Sequence, residues 1–152
     1  MERFESDALL DPIASTAWTL RIATQGPGDR LNLTPLWFYW AGGCFYAFTR
    51  GQKLANLRRN PSCTVTLDAG ERYPELNGVM AHATARILDD AAAEKRDDHL
   101  DSVVRDGMGE KYAKGAGPGA GSRNESTAFR DWRWIVIEPL AVVSWDNRKD
   151  RR

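Results

Sequence analysis

The segment 78–88, with the sequence GVMAHATARIL, constrains the fold more than any other part of the chain. Apolar residues occupy every second position, and a period of two is typical of a β-strand with one face on a core. Other segments are similarly rich in apolar and β-branched residues and bounded by turn residues, so we predict six or seven strands in total. These segments are 17–24, 31–40, 44–49, 62–67, 132–138 and 140–145, the last two separated only by Pro139.

Glycine and proline mark the connections between these strands. The sequence QGPGDR at 25–30 is typical of a turn, and AGG at 41–43 predicts a tight hairpin. Proline cannot donate a hydrogen bond to a neighbouring strand, so Pro35 indicates a sheet edge, a bulge or a break in pairing. Pro139 predicts an interruption in the same way.

Two segments have helical character. Residues 51–60 (GQKLANLRRN) are rich in good helix formers and end at a proline, and residues 89–112 open with the acidic residues that suit a helix N-terminus. Residues 114–127 contain four glycines and a proline, which predicts a flexible loop. The pattern as a whole predicts a mainly β (α+β) fold, with six to seven antiparallel strands, two to three helices and the character of a small barrel.

The length of 152 residues fits one domain spanning the chain, and we find no internal repeat. The 21 basic residues balance the 21 acidic ones, which argues against a nucleic-acid-binding or membrane-surface protein. Two cysteines, Cys44 and Cys63, are too few for a disulfide framework and favour a reducing compartment. Residues 1–12 lack a signal-type apolar stretch, so we expect a cytoplasmic protein.

The window 50–59 is the first candidate binding site. It contains Arg50, Lys53, Arg58 and Arg59 without any acidic residue, and it opens a predicted helix directly after a strand. A helix N-terminus offers unpaired N–H groups and a positive dipole end to an anion. We therefore predict a phosphate site formed by these groups and the side chains of Thr49 and Lys53, with a solvated basic surface as the alternative.

The hairpin formed by 36–40 and 44–48 is the second candidate, because its many aromatic residues could line a flat ring system. An ordinary core hairpin is the alternative interpretation. The two histidines, His82 and His99, have no carboxylates or cysteines at metal-ligand spacing, so we predict no metal site. No catalytic residue is indicated, which fits chemistry performed by a bound cofactor.

The order IAT, turn, LTPLWF, GG, FYAFT, QKLANLRRNP and TVTLD resembles the pyridoxamine 5′-phosphate oxidase-like flavin-binding split β-barrels. The later segments GVMAHATARIL and WRWIVIEPLAVVSW are also similar to strands of that family, so the resemblance covers 17–90 and 132–149. The run K-x-x-N-L-R-R-N-P is its most specific part. The oxidase proper has an arginine at the position of Gln52, and its substrate-phosphate residues have no match here, so the resemblance does not extend to that substrate.

The resemblance implies a homodimer that binds two cofactors at the subunit interface, with one strand along the ring system and another strand end around the ribityl chain and phosphate. The strand along the ring matches Thr34, Pro35, Leu36, Trp37 and Phe38. The residues that match the ribityl and phosphate site are Phe48, Thr49, Gln52 and Lys53, with Arg50 placed to join them. Trp145 and Arg148 match the segment that the second subunit contributes.

The resemblance further implies an oxidoreductase that transfers a hydride between FMN and a small organic substrate. A reductase dependent on the deazaflavin coenzyme F-420 is one alternative, since the composition suits a high-GC genome and Arg58 and Arg59 could bind a longer anionic tail. A carrier that binds a flavin or a tetrapyrrole without turnover is another alternative.

Overall fold

The computed structural model describes residues 3–113 and 129–150, and the predicted loop 114–127 lies outside these ranges. Every segment predicted to be extended forms a strand, and 31–40 divides into two strands at Phe38. The strands are β1 (Thr19–Gln25), β2 (Leu31–Trp37), β3 (Tyr39–Ala41), β4 (Cys44–Thr49), β5 (Ser62–Ala69), β6 (Asn77–Leu88) and β7 (Arg133–Asp146). The α-helices are α1 (Arg3–Ala14), α2 (Gln52–Arg59), α3 (Ala91–Arg96) and α4 (Arg105–Tyr112).

The seven strands form one antiparallel sheet in the order β2-β1-β5-β6-β7-β4-β3. The sheet is curled, so that β2 also contacts β4 across the opening and the sheet forms a half-barrel. Helix α2 packs against β1 and β6. The prediction of a mainly β, split-barrel fold is therefore confirmed. Pro35 lies in β2, an edge strand, which is where a sheet tolerates a proline.

Strand β7 is continuous, although the sequence predicts separate strands on either side of Pro139. Pro139 pairs with Ala83 and Ala141 pairs with His82, so Leu140 is an extra residue on the β7 side. Such a β-bulge disrupts the ladder locally, which accommodates the proline without ending the strand.

The core has two parts, one on each face of the strands β4, β6 and β7. The half-barrel encloses the first, which includes Leu20, Ile22, Val65, Ile135 and Ile137, all fully buried. The second lies beneath α3 and α4, and its buried members are Tyr46, Leu88, Leu100, Val104, Met108, Tyr112, Trp134 and Val136.

Two features of the helices differ from the prediction. Helix α1 was not predicted, yet it buries Leu10 and Ala14 in the half-barrel core. The single helix predicted over 89–112 is instead α3, a π-helical turn at Leu100–Val104, and α4. The break falls at Asp97, whose carboxylate accepts hydrogen bonds from the N–H groups of His99 and Leu100 and so stabilises a turn.

Candidate functional site

The turn between β4 and α2 exposes the beginning of a helix. Strand β4 ends at Thr49, whose side chain is buried, and α2 begins at Gln52. Gly51 has a φ of 87°, a left-handed conformation that glycine adopts without strain. Gly51 is also the N-cap, and it has no side chain to accept from the first helical N–H groups. These groups are therefore available to an acceptor from outside the helix.

Two cations lie beside this turn. Burial of Lys53, together with the nearby Arg50 guanidinium, lowers the pKa of the Lys53 ammonium below its ordinary value. The guanidinium carbon of Arg50 lies 5.4 Å from the centre of the Trp132 ring, in a cation–π contact. A half-buried ammonium next to a second cation is stabilised by any anion that binds between them.

Gln52 helps to fix α2 on the sheet. Its side-chain amide donates to Asn56 Oδ1 at 2.8 Å, and the fully buried Asn56 amide donates to Thr24 Oγ1 at 3.0 Å and to Asn32 Oδ1 at 3.2 Å. These bonds join α2 to β1 and β2. The orientation of the helix N-terminus is thereby set by the barrel and not by the turn alone.

The two arginines at the end of α2 make bonds of their own. Arg58 binds Asp89 with two hydrogen bonds of 3.0 and 2.6 Å, and Arg59 donates to the carbonyl of Gln25 at 3.0 Å. Of the four cations in the window 50–59, Arg50 and Lys53 are therefore the two at the helix N-terminus without a carboxylate partner among the described residues.

The first part of β2 directs Thr34 toward the inside of the half-barrel, on the same face as the buried Leu36, while Pro35 is exposed on the other face. Thr34 Oγ1 is buried, and no group among the described residues forms a hydrogen bond with it. Buried hydroxyls in native proteins nearly always have a partner. A ligand at the opening between β2 and β4 would offer one.

The end of β2 is held by α4. The Phe38 N–H donates to the Tyr112 hydroxyl at 2.9 Å, and the Phe38 carbonyl accepts from Lys111 Nζ at 2.9 Å. The Tyr112 hydroxyl donates to the Trp18 carbonyl at 2.6 Å, and its ring stacks on Trp37 with the centroids 4.3 Å apart. The interruption of the strand thus lies at Phe38 and not at Pro35, and its freed polar groups bond to α4.

Phe48 lies on the opposite face of β4 from Thr49, because successive side chains of a strand alternate. Its ring belongs to an aromatic cluster with Trp134, Trp132 and Phe129, at centroid distances of 5.2, 5.4 and 6.1 Å. The structure therefore brings Phe48 together with the Trp132 ring that contacts Arg50.

Trp145 and Arg148 lie together in a different part of the molecule. They line a cavity of about 330 Å³ between α1 and the ends of β6 and β7. The Trp145 ring covers Gly78 so closely that a Cβ there would lie 2.5 Å from Cζ2 of the ring. Arg148 binds Asp146 through two hydrogen bonds of 2.8 and 2.9 Å.

The length of β7 separates this pair from the turn after β4. Arg133, the first residue of β7, pairs with Thr49, whereas Trp145 is twelve residues further along the same strand. At about 3.3 Å per residue, this separation is roughly 40 Å along the strand. Within one chain, the predicted site residues thus form two groups at opposite ends of β7.

A second cavity, of about 260 Å³, lies under α3 near the start of β4. Its wall includes the buried Asp97, which accepts from the Tyr46 hydroxyl at 2.8 Å and from Arg86 at 2.6 Å. Burial alone would raise the pKa of Asp97, but hydrogen bonds from the His99 N–H, from Arg86 and from Tyr46 lower it below its ordinary value. Sequence analysis missed this cluster because Asp97 lies within the predicted helix 89–112, whereas Tyr46 and Arg86 lie on predicted strands.

Three further side chains at the first site were also missed, namely Tyr112, Trp132 and Arg133. Their sequence signal is weak, because each depends on a contact between segments more than 70 residues apart. Only the position of Arg133 at the start of a predicted strand hinted that it could lie beside another strand end.

Within residues 3–113 and 129–150, no group of three or more His, Cys, Asp or Glu side chains is arranged to hold a metal ion. Among the same residues, no helix combines the length and the apolar character that crossing a bilayer requires.

Comparison with known proteins gives a family and several related structures. The family model described as pyridoxamine 5′-phosphate oxidase matches residues 11–146. A conserved hypothetical protein from Mycobacterium tuberculosis has a similar structure, with 25% sequence identity and a TM-score of 0.72 over 94% of this chain and 86% of that one. No curated protein sequence matches the chain significantly.

Three further solved structures show the same fold. An FAD-binding protein from Mesorhizobium loti has 15% identity and a TM-score of 0.67, covering 95% of this chain and 94% of that one. The heme storage protein HutZ from Vibrio cholerae has 17% identity and a TM-score of 0.64, covering 88% and 90%. A structure described as an F420 reductase has 16% identity and a TM-score of 0.63, covering 88% and 94%.

Proposed function

Because this chain belongs to the pyridoxamine 5′-phosphate oxidase family, we propose that it is a flavin-dependent oxidoreductase that transfers a hydride between bound FMN and a small organic molecule. The observation that carries the proposal is the turn at 49–53, where a buried hydroxyl, a helix N-terminus and a half-buried ammonium occur within five residues. Backbone N–H groups and a cation around one point suit a phosphate monoester.

The groups of this turn would hold the cofactor phosphate. The N–H groups at the start of α2, the Thr49 hydroxyl and the Lys53 ammonium would donate to its oxygens. Arg50 would approach from the side of Trp132, whose ring limits the positions that the guanidinium takes. Gln52 would act through its bond to Asn56, which keeps the helix in place.

Strand residues 34–38 would line the ring system, and the Thr34 hydroxyl fits a polar atom at the edge of that ring because it is buried without a partner among the described residues. When bound, a flavin supplies the two-electron chemistry itself. The contribution of the chain is then to bind the phosphate, to orient the ring and to exclude water from one of its faces.

A second copy of the chain would complete the site. Trp145 and Arg148 lie at the opposite end of β7 from Thr49, so they contribute to a shared ligand only if they come from another subunit. The outward face of the sheet supports a homodimer, because several large apolar side chains are exposed on the edge strand β2 and on β7. These are Leu31 and Leu33 on β2, and Leu140, Val143 and Trp145 on β7.

A deazaflavin-dependent reductase is the second candidate, favoured by the similarity to the F420 reductase. A longer anionic tail requires cations beyond the first phosphate, and Arg58 and Arg59 follow next in the sequence. Both already bond to other groups, Arg58 to Asp89 and Arg59 to the Gln25 carbonyl. We therefore rank FMN ahead of the deazaflavin. The similarity to a heme storage protein supports a third candidate, a carrier without turnover.

A titration followed by a turnover assay tests the proposal. The purified chain is titrated with FMN, with the deazaflavin and with hemin while the visible spectrum is recorded. We expect saturable binding of about one FMN per chain. The bound flavin, once reduced anaerobically, should transfer its electrons to an organic acceptor faster than free reduced flavin does. Binding of the deazaflavin or hemin in place of FMN contradicts the choice of cofactor, and absence of faster transfer across a broad acceptor panel favours a carrier.

A further inference from the structure

Resting on the function proposed above, we infer that Arg133 is a further binding residue for the phosphate monoester and makes the site select a flavin nucleotide over the unphosphorylated flavin. Arg133 is the pairing partner of Thr49 across β7 and β4. Paired residues in an antiparallel sheet project from the same face, with their Cβ atoms about 4.5–5.5 Å apart. The side chain of Arg133 therefore leaves the sheet on the same face as that of Thr49, from the neighbouring position.

The hydrogen bonds of Arg133 leave part of its head group without a partner. Nη1 donates to the carbonyls of Arg130 and Trp132 at 2.7 and 2.8 Å, which anchors the guanidinium at the start of the strand. Nε is buried, and it has no hydrogen-bond partner among the described residues. A buried donor without an acceptor is costly, and an oxygen of an anionic ligand would remove that cost.

Asp89 does not supply the missing acceptor. The distance from Arg133 Nε to Asp89 Oδ1 is 3.9 Å, beyond hydrogen-bond range. The Asp89 carboxylate is instead bound by Arg58, at 3.0 and 2.6 Å. The Asp89 carboxylate thus lies near two guanidinium groups, and its contact with Arg133 is longer and weaker than its contact with Arg58.

The balance of charge at this end of the barrel favours a multiply charged anion. The cations here include Arg50, Lys53, Arg58 and Arg133, and among the described residues one carboxylate, that of Asp89, pairs with two of them. A phosphate monoester carries about two negative charges at neutral pH and accepts several hydrogen bonds. It therefore fits this surplus, whereas the neutral end of an unphosphorylated ribityl chain does not.

A comparison of two ligands that differ only in the phosphate tests the inference. Dissociation constants for FMN and riboflavin are measured by fluorescence titration with the wild-type protein and with Arg133→Gln. We expect Arg133→Gln to bind FMN about 10- to 100-fold more weakly, the range for a hydrogen bond to a charged group, and riboflavin with unchanged affinity. Arg72→Gln is the matched control, because Arg72 forms an exposed pair with Glu75.

Each outcome has a defined meaning. If Arg133→Gln weakens the binding of FMN and riboflavin equally, or weakens neither, the role of Arg133 is overturned. The wild-type protein still binds FMN in that case, so the proposed function is not affected. A wild-type protein that binds no flavin overturns both.

A second measurement avoids dependence on the folding of Arg133→Gln. The Nε–H signals of the ¹⁵N-labelled wild-type protein are recorded by NMR before and after saturation with FMN, and Arg133→Lys identifies the signal of Arg133. We expect FMN to shift this signal and riboflavin to leave it in place. An Arg133 signal that does not move when FMN is saturating contradicts the inference.

Discussion

Burial and the nearby Arg50 lower the pKa of Lys53, so a positive charge there is unfavourable until an anion binds. We expect Lys53→Ala to weaken FMN binding by about 1.5–3 kcal/mol, the contribution of a hydrogen bond to a charged group. Fluorescence titration measures the effect, and Lys95→Ala on the exposed end of α3 serves as the control. If Lys53→Ala binds FMN as tightly as the wild-type protein, the phosphate lies elsewhere.

Lys111 makes the stability of the fold depend on pH. Burial lowers the pKa of Lys111 to about 8 in the folded protein, so between pH 8 and its ordinary pKa of 10.5 the unfolded chain binds more protons at this position. Stability from this group therefore rises with pH in that window, by at most about 1.4 kcal/mol per pH unit. Above pH 10 the raised pKa of Tyr112, about 12, acts in the opposite direction.

Urea unfolding at pH 7.5 and 9.5 measures this effect. We expect the wild-type free energy of unfolding to increase relative to that of Lys111→Met between the two values. Comparison of the two proteins cancels other groups, such as Cys63, whose pKa burial raises to about 12. A difference that stays constant with pH, as we expect for Lys95→Met, contradicts the assignment.

Individual residues of the site differ in how well the sequence predicts them. Thr49 and Lys53 are recognisable because a strand end, a glycine and a helix start follow one another within a few positions. Arg133 and Tyr112 are not recognisable in this way. Their roles depend on pairing with Thr49 and Phe38, which lie more than 70 residues away in sequence.

At the level of elements, α4 holds the junction between β2 and β3 through the Lys111 ammonium and the Tyr112 hydroxyl. Tyr112→Phe keeps the ring stacked on Trp37 but leaves the Phe38 N–H without its acceptor. We expect a loss of about 1–3 kcal/mol in the free energy of unfolding, measured in urea at pH 7. Tyr73→Phe is the control because Tyr73 is 78% exposed. If Tyr112→Phe loses no more free energy of unfolding than Tyr73→Phe does, the prediction is wrong, and water bonds to the Phe38 N–H in place of the hydroxyl.

The sequence predicts strands better than helices in this chain. Period-two patterns such as that of β6 arise because one face packs on the core, and the same packing forms the strand. Helix α1 contains Pro12 and three acidic residues, so its pattern is weak until the barrel core covers Leu10. The break at Asp97 combines local bonds from the His99 and Leu100 N–H groups with bonds from Tyr46 and Arg86, and no local pattern shows the latter two.

At the level of the whole molecule, the site proposed here requires two chains. Leu33, Ala23, Thr64, His82 and Ala141 are registered neighbours across five strands, on the outward face that a second copy would cover. Val143 is 55% exposed on the same face. Its replacement by a charged residue should keep the fold and oppose dimerisation.

We expect the wild-type protein with FMN to be a dimer by light scattering. Val143→Glu should be a monomer at micromolar concentration and should bind FMN at least about 10-fold more weakly, because Trp145 and Arg148 of the second copy no longer reach the ligand. Tyr73→Glu, at an exposed position outside the sheet, should change neither property. A wild-type monomer with full affinity for FMN contradicts this arrangement.

The bulge at Leu140 changes which positions of β7 face the barrel core. Before it, odd-numbered residues such as Ile135 and Ile137 face the barrel core, and after it the even-numbered Val142 does so. If Leu140 were paired in the regular ladder and not bulged out, every later side chain would change sides, and Trp145 would turn inward. The outward position of Trp145 thus depends on the bulge five residues away. Deletion of Leu140 would let Ala141 follow Pro139 in a regular ladder with the same partners on β6, so Trp145 would stay on the outward face.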